Sequence, residues 1–314
     1  MFSHIDLKLI SGNANRKLAE DIAAFLEIPL CQVEVKHFSD GEIFIKILEN
    51  IRGRDCFVIQ PTNPPAENIM ELLLIIDALR RSSAGRITAV IPYYGYGRQD
   101  RKDQPRVGIG AKLTANLITM SGADRVMMLD LHSHQIQGFF DIPSDHLYTM
   151  PIFLDYFRSL GLRDVVVVTP DIGGAKMARG YAGRLDAPLA FIEKRRPRPN
   201  VAQSVNIVGE VTGRDVVMVD DIIDTGGTMS AACQTLLEKK PNSIHVGCTH
   251  AVLSGLAVEI LKQAPLTELA VTDTIQVPPE KRFSKLKVLS VAELLGKAIR
   301  FIHEGQSVSA LFVD

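Results

Sequence analysis

The run Val216-Val217-Met218-Val219-Asp220-Asp221-Ile222-Ile223-Asp224-Thr225-Gly226-Gly227-Thr228 constrains this chain more than any other feature. Its apolar start reads as a buried strand that runs directly into two adjacent carboxylates. The chain then breaks into a Gly-containing loop closed by Thr228, and an amphipathic helical pattern follows over residues 229–239. A strand–loop–helix of this kind turns unpaired N–H groups and the positive end of a helix dipole toward whatever occupies the turn, a setting for an anion. Thr225 and Thr228 add hydroxyl donors, and Gly226 and Gly227 let the backbone approach closely. Asp220 and Asp221 can accept hydrogen bonds from sugar hydroxyls, directly or through a hydrated metal ion. An ordinary helix cap needs one Asp or Thr, so the full set points to a pocket for a phosphorylated sugar.

The chain has 314 residues, 46% of them hydrophobic, enough for a sizeable core and expected to form two domains. Its 35 Lys and Arg nearly cancel its 36 Asp and Glu, which argues against a general nucleic-acid binder. The start Met1-Phe2-Ser3-His4-Ile5-Asp6 lacks the basic and apolar parts of a secretion signal. The apolar run 69–79 carries Glu71 and Asp77 and is too short to span a bilayer. Cys31, Cys56, Cys233 and Cys248 form no Cys-x-x-Cys pair and read as core thiols of a reducing compartment. A soluble cytoplasmic protein with no membrane or nucleic-acid partner is expected.

Apolar runs at 56–60, 87–92, 126–130, 165–169, 189–192, 216–220 and 244–249 alternate with helical patterns such as 68–82, 111–121 and 229–239. The alternation predicts an α/β fold with mainly parallel sheets, whose ligands collect at the carboxyl ends of the strands. The candidate polar residues are expected just after such strands. Residues 125–130 with their following loop echo residues 215–220, as two related halves joined near residues 148–151 would give. Three stretches, 93–110, 193–201 and 266–286, read as irregular surface loops.

Other segments add candidates. Pro170-Asp171-Ile172-Gly173-Gly174 follows a strand and reads as a second anion or metal loop, suited to a diphosphate or else a structural turn. Glu193-Lys194-Arg195-Arg196-Pro197-Arg198 is either a solvated loop or a cap that closes over a polyphosphate. Lys194 would offer a compact charge and Arg196 a forked donor. Asp130-Leu131-His132-Ser133-His134 places two histidines after a strand, both able to serve as ligands only if that loop is extended. Phe38-Ser39-Asp40-Gly41-Glu42 and Tyr96-Gly97-Arg98-Gln99-Asp100 combine turn geometry with carboxylates and a guanidinium able to meet a purine, a ribose or phosphates. No Gly-x-x-x-x-Gly-Lys-Ser/Thr occurs, so a nucleotide here is not held by a P-loop.

The opening run resembles the phosphoribosyl-diphosphate-binding motif of the type I phosphoribosyltransferase fold, which is shared by enzymes that consume that diphosphate and enzymes that make it. The remaining segments resemble ribose-phosphate diphosphokinases of the phosphate-regulated class I type, over essentially the whole chain. The resemblance runs through Phe38–Glu42, Asn68-x-Met70-Glu71-Leu72, Arg86–Tyr93, Arg98-Gln99-Asp100 and Asp130-Leu131-His132 with Gln135–Asp141. It continues through Pro170–Gly174, Lys194-Arg195-Arg196-Pro197 and Thr272-Asp273-Thr274-Ile275.

This resemblance implies two similar phosphoribosyltransferase-type I-like domains, each with a mainly parallel sheet flanked by helices. The first covers residues 1–148, joined by about 290–314, and the second, with the ribose 5-phosphate/diphosphate motif, covers 149–289. It implies an active site between domains, completed by a neighbouring subunit of a homohexamer. It also implies Mg2+-dependent transfer of the β,γ-diphosphoryl group of ATP to the C1 hydroxyl of ribose 5-phosphate, for nucleotide biosynthesis, with phosphate and ADP as effectors. By position, Asp40, Gly41, Glu42, Arg98 and Gln99 would hold ATP, and His132 and Asp171 would bind magnesium. Lys194 and Arg196 would be the catalytic cations. Ribose 5-phosphate would lie on Arg196, Asp220, Asp224, Thr225, Gly226, Gly227 and Thr228. No residue stands out as a general base beyond the Asp220–Asp221 pair. Where the family reads Arg-x-Pro-Ile-Ser/Thr-Ala-Lys, this chain has Arg106-Val107-Gly108-Ile109-Gly110-Ala111-Lys112. The two glycines are expected to loosen a segment that borders the family's regulatory site, and His134 is expected to be a bystander.

Overall fold

The computed structural model describes residues 6–170, 173–195 and 204–312. It opens with β1 (Leu7–Ser11), α1 (Arg16–Leu26), β2 (Val33–His37), β3 (Ile43–Ile47), β4 (Asp55–Ile59), α2 (Glu67–Arg81) and β5 (Arg86–Ile91). Then come α3 (Gly110–Ser121), β6 (Arg125–Leu129), β7 (Ser144–Leu147), α4 (Met150–Ser159), β8 (Val165–Thr169), α5 (Ala175–Arg184) and β9 (Leu189–Arg195). The last part holds β10 (Ser204–Val208), β11 (Asp215–Ile223), α6 (Gly227–Leu237), β12 (Ser243–Ala251), α7 (Ala257–Gln263), β13 (Glu268–Thr272), β14 (Leu286–Leu289) and α8 (Ala292–Glu304).

Two compact units result: Met1–Thr149 with Thr274–Gln276 and Ser290–Asp314, and Met150–Asp273 with Val277–Leu289. The first contains a sheet in the order β1-β4-β5-β6-β7, all parallel, and a separate antiparallel hairpin β2-β3. The second contains β10-β9-β8-β11-β12-β13-β14, parallel except for β10. Read in order, β1-β4-β5-β6-β7 and β8-β11-β12-β13-β14 are the same five-strand arrangement, so the two sheets are of one type.

The sheets form where they do because both faces are covered. On β11, Val216 and Met218 point into one apolar cluster with Met229, Cys233 and Leu236 of α6. The alternate residues Val217 and Val219 point into another, with Phe153 and Phe157 of α4 and Tyr181 of α5. A strand buried on both sides must be apolar at every position, which is why these strands read as continuous runs and not as alternation. Each fully buried side chain of this kind contributes roughly 1.5–3 kcal/mol. In the first unit, Cys56 and Val58 of β4 meet Leu72, Ile75, Ile76 and Leu79 of α2 and Ile118 of α3. Parallel neighbours need crossovers, and α2, α3, α6 and α7 supply them.

The last helix is tied to the first unit by packing and by charge. Gly296 of α8 lies so close to Phe25 of α1 that a Cβ there would stand 2.4 Å from the ring. Asp55 is fully buried and takes two bonds from Arg86, at 2.8 and 2.5 Å, and one contact with His303 Nδ1 at 2.7 Å. Breaking a buried, multiply bonded ion pair from one side costs roughly 3–5 kcal/mol, so this cluster fixes the end of α8 against β4 and β5.

Several sequence expectations change. Strand β11 runs to Ile223, past both carboxylates, because β12 continues alongside it with Ile222 opposite His250 and Ile223 opposite Ala251. Helix α6 begins at Gly227, two residues before the apolar pattern. The stretch 266–286, read as irregular, holds β13, whose short apolar core is buried in the sheet. Residues 193–195 of the basic stretch continue β9, while 196–203 lie outside the described residues. The echo between 125–130 and 215–220 is out of phase: by sheet order β11 corresponds to β4 and β6 to β13. A buried strand ending in Asp is too common a pattern to set that register. The four cysteines are unpaired and buried, and burial pushes the Cys56 and Cys233 thiols up to about 12.

His245 on β12 is 8% exposed, and its Nδ1 has no partner among the described residues. Burial holds its pKa below the usual 6.5, with Glu268 and Asp215 opposing that shift more weakly. The unfolded chain therefore takes up this proton before the folded one does, and stability falls as the pH drops through 6.5. Urea midpoints measured between about pH 7 and pH 5 should decline less steeply in His245→Phe and His245→Gln than in the parent. Parallel slopes in all three would show that His245 contributes nothing.

Candidate active site

The carboxyl edge of the second unit is built around the β11–α6 junction. Asp220 and Asp221 are half-buried near the end of β11, and the Asp221 N–H donates to Asp220 Oδ1 at 2.9 Å. Beside Asp220 on β12, Cys248 is fully buried, its thiol pushed far up by burial and further by these two carboxylates. The turn proper is residues 224–226. Thr225, Gly227 and Thr228 are exposed, and Gly226 is buried. Gly226 occupies the N-cap of α6 with φ +75°, and it offers no side chain to bond the first-turn N–H groups. The first-turn N–H groups of α6 thus have no side-chain cap, and the positive end of the helix dipole lies beside the exposed Thr225 and Thr228.

The floor of this turn comes from the segment after β12, which sequence reasoning missed. Val252 N–H and Leu253 N–H both donate to the Ile223 carbonyl, at 3.0 and 3.1 Å, and Ser254 N–H donates to the Asp224 carbonyl at 2.9 Å. The Ser254 hydroxyl donates to Asp224 Oδ1. A Cβ on Gly226 would stand 3.0 Å from Leu261 Cγ and 3.4 Å from the Ala257 carbonyl oxygen. Only a sharp bend at Leu253 and Gly255, both with positive φ, brings this brace into place. The only sequence hint is the Ser254-Gly255 pair, which marks a turn but no partner.

In the first unit, Asp40, Gly41 and Glu42 do not follow a parallel strand. They form the exposed tip of the β2-β3 hairpin, where Phe38 N–H donates to the Glu42 carbonyl at 2.8 Å and Glu42 N–H to Asp40 Oδ1 at 3.0 Å. Gly41 has φ +95°, the left-handed geometry that such a tip needs. Arg98 and Gln99 lie in the irregular segment after β5, both exposed, with Gln99 N–H on the Tyr96 carbonyl at 2.9 Å. Gly110 has a packing role that the sequence did not suggest. Gly110 starts α3, Ala111 N–H bonds the Gln99 carbonyl at 3.2 Å, and a Cβ on Gly110 would fall 2.5 Å from Gln99 Oε1. The missing side chain makes room for Gln99, whereas Gly108 has open space around it.

His132 is exposed in the loop after β6. That loop is held on both sides: Asp130 Oδ2 accepts from the N–H of Thr149 at 3.1 Å and from its hydroxyl, and Leu131 N–H donates to His146 Nε2 at 2.9 Å. His134 opens a 3-10 turn (His134–Phe139), and its Nδ1 lies 3.3 Å from His146 Nδ1, so the loop is not extended there. Accepting from Leu131 leaves the neutral His146 ring its proton on Nδ1, which directs it at His134. Half-buried Tyr148 packs on His146 at 4.5 Å, its pKa raised by burial and then by Asp130. Asp171 and Arg196 lie outside the described residues, as does the side chain of Lys194, whose backbone belongs to β9.

Among the described residues no three His, Cys, Asp or Glu groups converge as a metal cluster. Magnesium is compatible with that, since it takes one or two carboxylates and otherwise water and phosphate oxygens. Of the two expected metal ligands, His132 is exposed and accessible to a hydrated ion, and Asp171 lies outside the described residues.

Comparison with known proteins decides the lineage. Residues 7–122 match the N-terminal domain of ribose phosphate pyrophosphokinase, and residues 193–313 match the phosphoribosyl synthetase-associated domain. A ribose-phosphate pyrophosphokinase of Bacillus caldolyticus is 53% identical over 307 residues, 98% of each chain. The chain belongs to the ribose-phosphate pyrophosphokinase family. A second relative of that name, from Chlorobaculum tepidum, is 50% identical over 98% of this chain and 95% of its own. The crystal structure of phosphoribosylpyrophosphate synthetase from Mycobacterium smegmatis matches with a TM-score of 0.90 at 40% identity, covering 96% of this chain and 99% of that one. The fold is thus that of ribose-phosphate pyrophosphokinases, with phosphoribosyltransferase-type units, and the chain is an enzyme of that family.

Gly226 and Gly227 separate two demands on the turn. Gly226→Ala meets a left-handed φ and the Leu261 side chain, and should lower stability by about 1–2 kcal/mol or more. Gly227→Ala meets nothing closer than 3.9 Å and has no positive φ, so it should leave stability unchanged within about 0.5 kcal/mol or raise it slightly. Urea denaturation of both variants checks this. Equal losses would mean that the turn is not strained at residue 226.

Proposed function

We propose that this chain catalyses Mg2+-dependent transfer of the β,γ-diphosphoryl group of ATP to the C1 hydroxyl of ribose 5-phosphate, giving 5-phosphoribosyl 1-diphosphate and AMP for nucleotide biosynthesis. The observation that carries this reading is the β11–α6 junction. Half-buried carboxylates suited to sugar hydroxyls stand beside a helix start whose cap residue has no side chain, in a chain about half identical to enzymes named for this activity.

On this reading the 5-phosphate sits in the turn of Asp224, Thr225, Gly226, Gly227 and Thr228, held by backbone N–H groups and hydroxyls, while Asp220 accepts from the ribose hydroxyls. Asp40, Gly41, Glu42, Arg98 and Gln99 bind ATP, and Arg196 also reaches ribose 5-phosphate. The C1 oxygen forms a bond to the β-phosphorus, and the bond from that phosphorus to the oxygen shared with the α-phosphorus breaks. That oxygen leaves on AMP with the bonding pair, and the C1 hydroxyl gives up its proton, for which Asp220 and Asp221 are the carboxylates at hand. Asp171 and His132 would hold magnesium, which when bound offsets charge on the phosphate oxygens. Lys194 and Arg196 neutralise the charge that grows between the β-phosphorus and the leaving oxygen, each contributing roughly several kcal/mol. The family resemblance also supports a homohexamer in the cytoplasm with phosphate and ADP as effectors.

Purified protein given ATP, ribose 5-phosphate and Mg2+ should form AMP and the sugar diphosphate in equal amounts, and EDTA in excess should stop the reaction until Mg2+ is restored. Unconsumed ribose 5-phosphate, or a product that requires a nucleobase, would overturn the proposal. Lys194→Ala should lower turnover by about a hundredfold or more while ribose 5-phosphate still binds, as read by calorimetry. Near-normal turnover would remove Lys194 from the chemistry.

A further inference from the structure

We infer that the Glu71 carboxylate is a built-in ligand of the first unit: it fills the loop after β1 as a bound oxyanion would, and so closes that loop to small anions from solution. The inference goes beyond the proposed reaction, which uses the β11–α6 turn, and its test reads no turnover.

By sheet order β1 corresponds to β8, and the loop after β8 is the one whose sequence suggests a second anion or metal. Its counterpart after β1 carries the parts of such a loop. At Gly12 a Cβ would stand 2.7 Å from Glu71 Oε1 and 2.2 Å from Gln60 Oε1, so only glycine lets the backbone come this close to the carboxylate. The N–H groups of the next two residues point inward, Asn13 to Glu71 Oε1 at 2.5 Å and Ala14 to Gln60 Oε1 at 3.1 Å. Successive inward N–H groups are the arrangement that takes up an anion. Helix α1 follows directly, with Asn15 as its N-cap.

The group in that place is held by donors alone. Besides the Asn13 N–H, Gln60 Nε2 donates to Oε1 and Asn13 Nδ2 donates to Oε2, both at 2.9 Å. Glu71 is 4% exposed, and among the described residues no cation pairs with it. The start of a helix favours negative charge nearby, yet the first turn of α1 has Arg16 and Lys17 and no acidic residue. Glu71 brings that charge from α2. Because it is tethered, its effective concentration at the loop exceeds that of a free anion. The loop therefore stays filled although Asn13 itself is exposed to solvent.

Glu71→Ala vacates the place and leaves its donors pointing at it, whereas Glu71→Gln keeps it filled with a neutral amide. The test compares thermal midpoints of the full-length parent and both variants in sodium formate and in sodium chloride at equal ionic strength. Formate should raise the midpoint of Glu71→Ala by about 3 °C or more over chloride, with saturation. The parent and Glu71→Gln should differ by less than about 1 °C between the two salts. An equal response in all three proteins, or no response in Glu71→Ala, would show that the loop is not an anion seat. If Glu71→Ala does not fold in chloride, refolded yield replaces the midpoint, and a yield that formate leaves unchanged counts equally against the role of Glu71.

Discussion

A chain that leaves the carboxyl edge of a fully buried parallel sheet loses its ladder partners at the point where it must also turn sharply, and every backbone group there needs a new partner. That constraint shapes both units. In the first, buried Glu71 of α2 solves it: Oε1 accepts from the Asn13 N–H at 2.5 Å and from Gln60 Nε2 at 2.9 Å, and Oε2 accepts from Asn13 Nδ2 at 2.9 Å. Gln60 in turn takes the Ala14 N–H at 3.1 Å, and Gly12 has no room for a Cβ, which would lie 2.2 Å from Gln60 Oε1. In the second unit the partners of the β11 exit come from the bend after β12.

The two solutions differ in what they leave for a ligand. Around Glu71 the polar atoms of the loop after β1 bond to Glu71 and Gln60, although Asn13 itself is exposed. At the β11–α6 junction the brace comes from below, through Ile223 and Asp224, while Thr225, Gly227 and Thr228 stay exposed. One sheet order therefore supports two differently braced exits, and the difference lies in a few loop residues.

The fold was legible in the sequence to the extent that burial on both faces makes a strand uniformly apolar. Runs such as Val165–Thr169 identify inner strands without ambiguity, and they predicted the parallel α/β class that the structure has. Edge and hairpin strands were not legible, because β7 (Ser144–Leu147) is polar and half-exposed and β2 shows no buried residue at all. The position of the strand-to-helix turn was legible from Asp224–Thr228, where Gly226 takes a positive φ. Its brace was not, since Ser254, Ala257 and Leu261 contact the turn across about thirty residues and carry no pattern that points there. The same holds for His146, whose role depends on the Leu131 N–H that reaches it from the neighbouring strand's exit. Gly110 shows what a local argument leaves out: beside its backbone freedom, the tertiary neighbour Gln99 uses the space that a side chain would fill.

Three carboxylates lie within a few residues of the anion-facing turn, in a protein whose net charge is already −1. Side-chain charge alone would repel a phosphate from this place, since like charges a few ångströms apart oppose each other even through water. Favourable binding must come from donors that are fixed in direction, namely the backbone N–H groups of the turn and the first turn of α6. Such donors act only over short range and only when aligned. With a phosphorylated sugar as the proposed ligand, the carboxylates acquire a purpose that a simple anion site would not have: they disfavour anions that bring no hydroxyls or cations to satisfy them. On the proposed reading, selectivity for a phosphorylated sugar over inorganic phosphate follows from the acidity that makes the site look unfavourable, and it demands rigid geometry, because a loosened turn keeps the repulsion and loses the aligned donors.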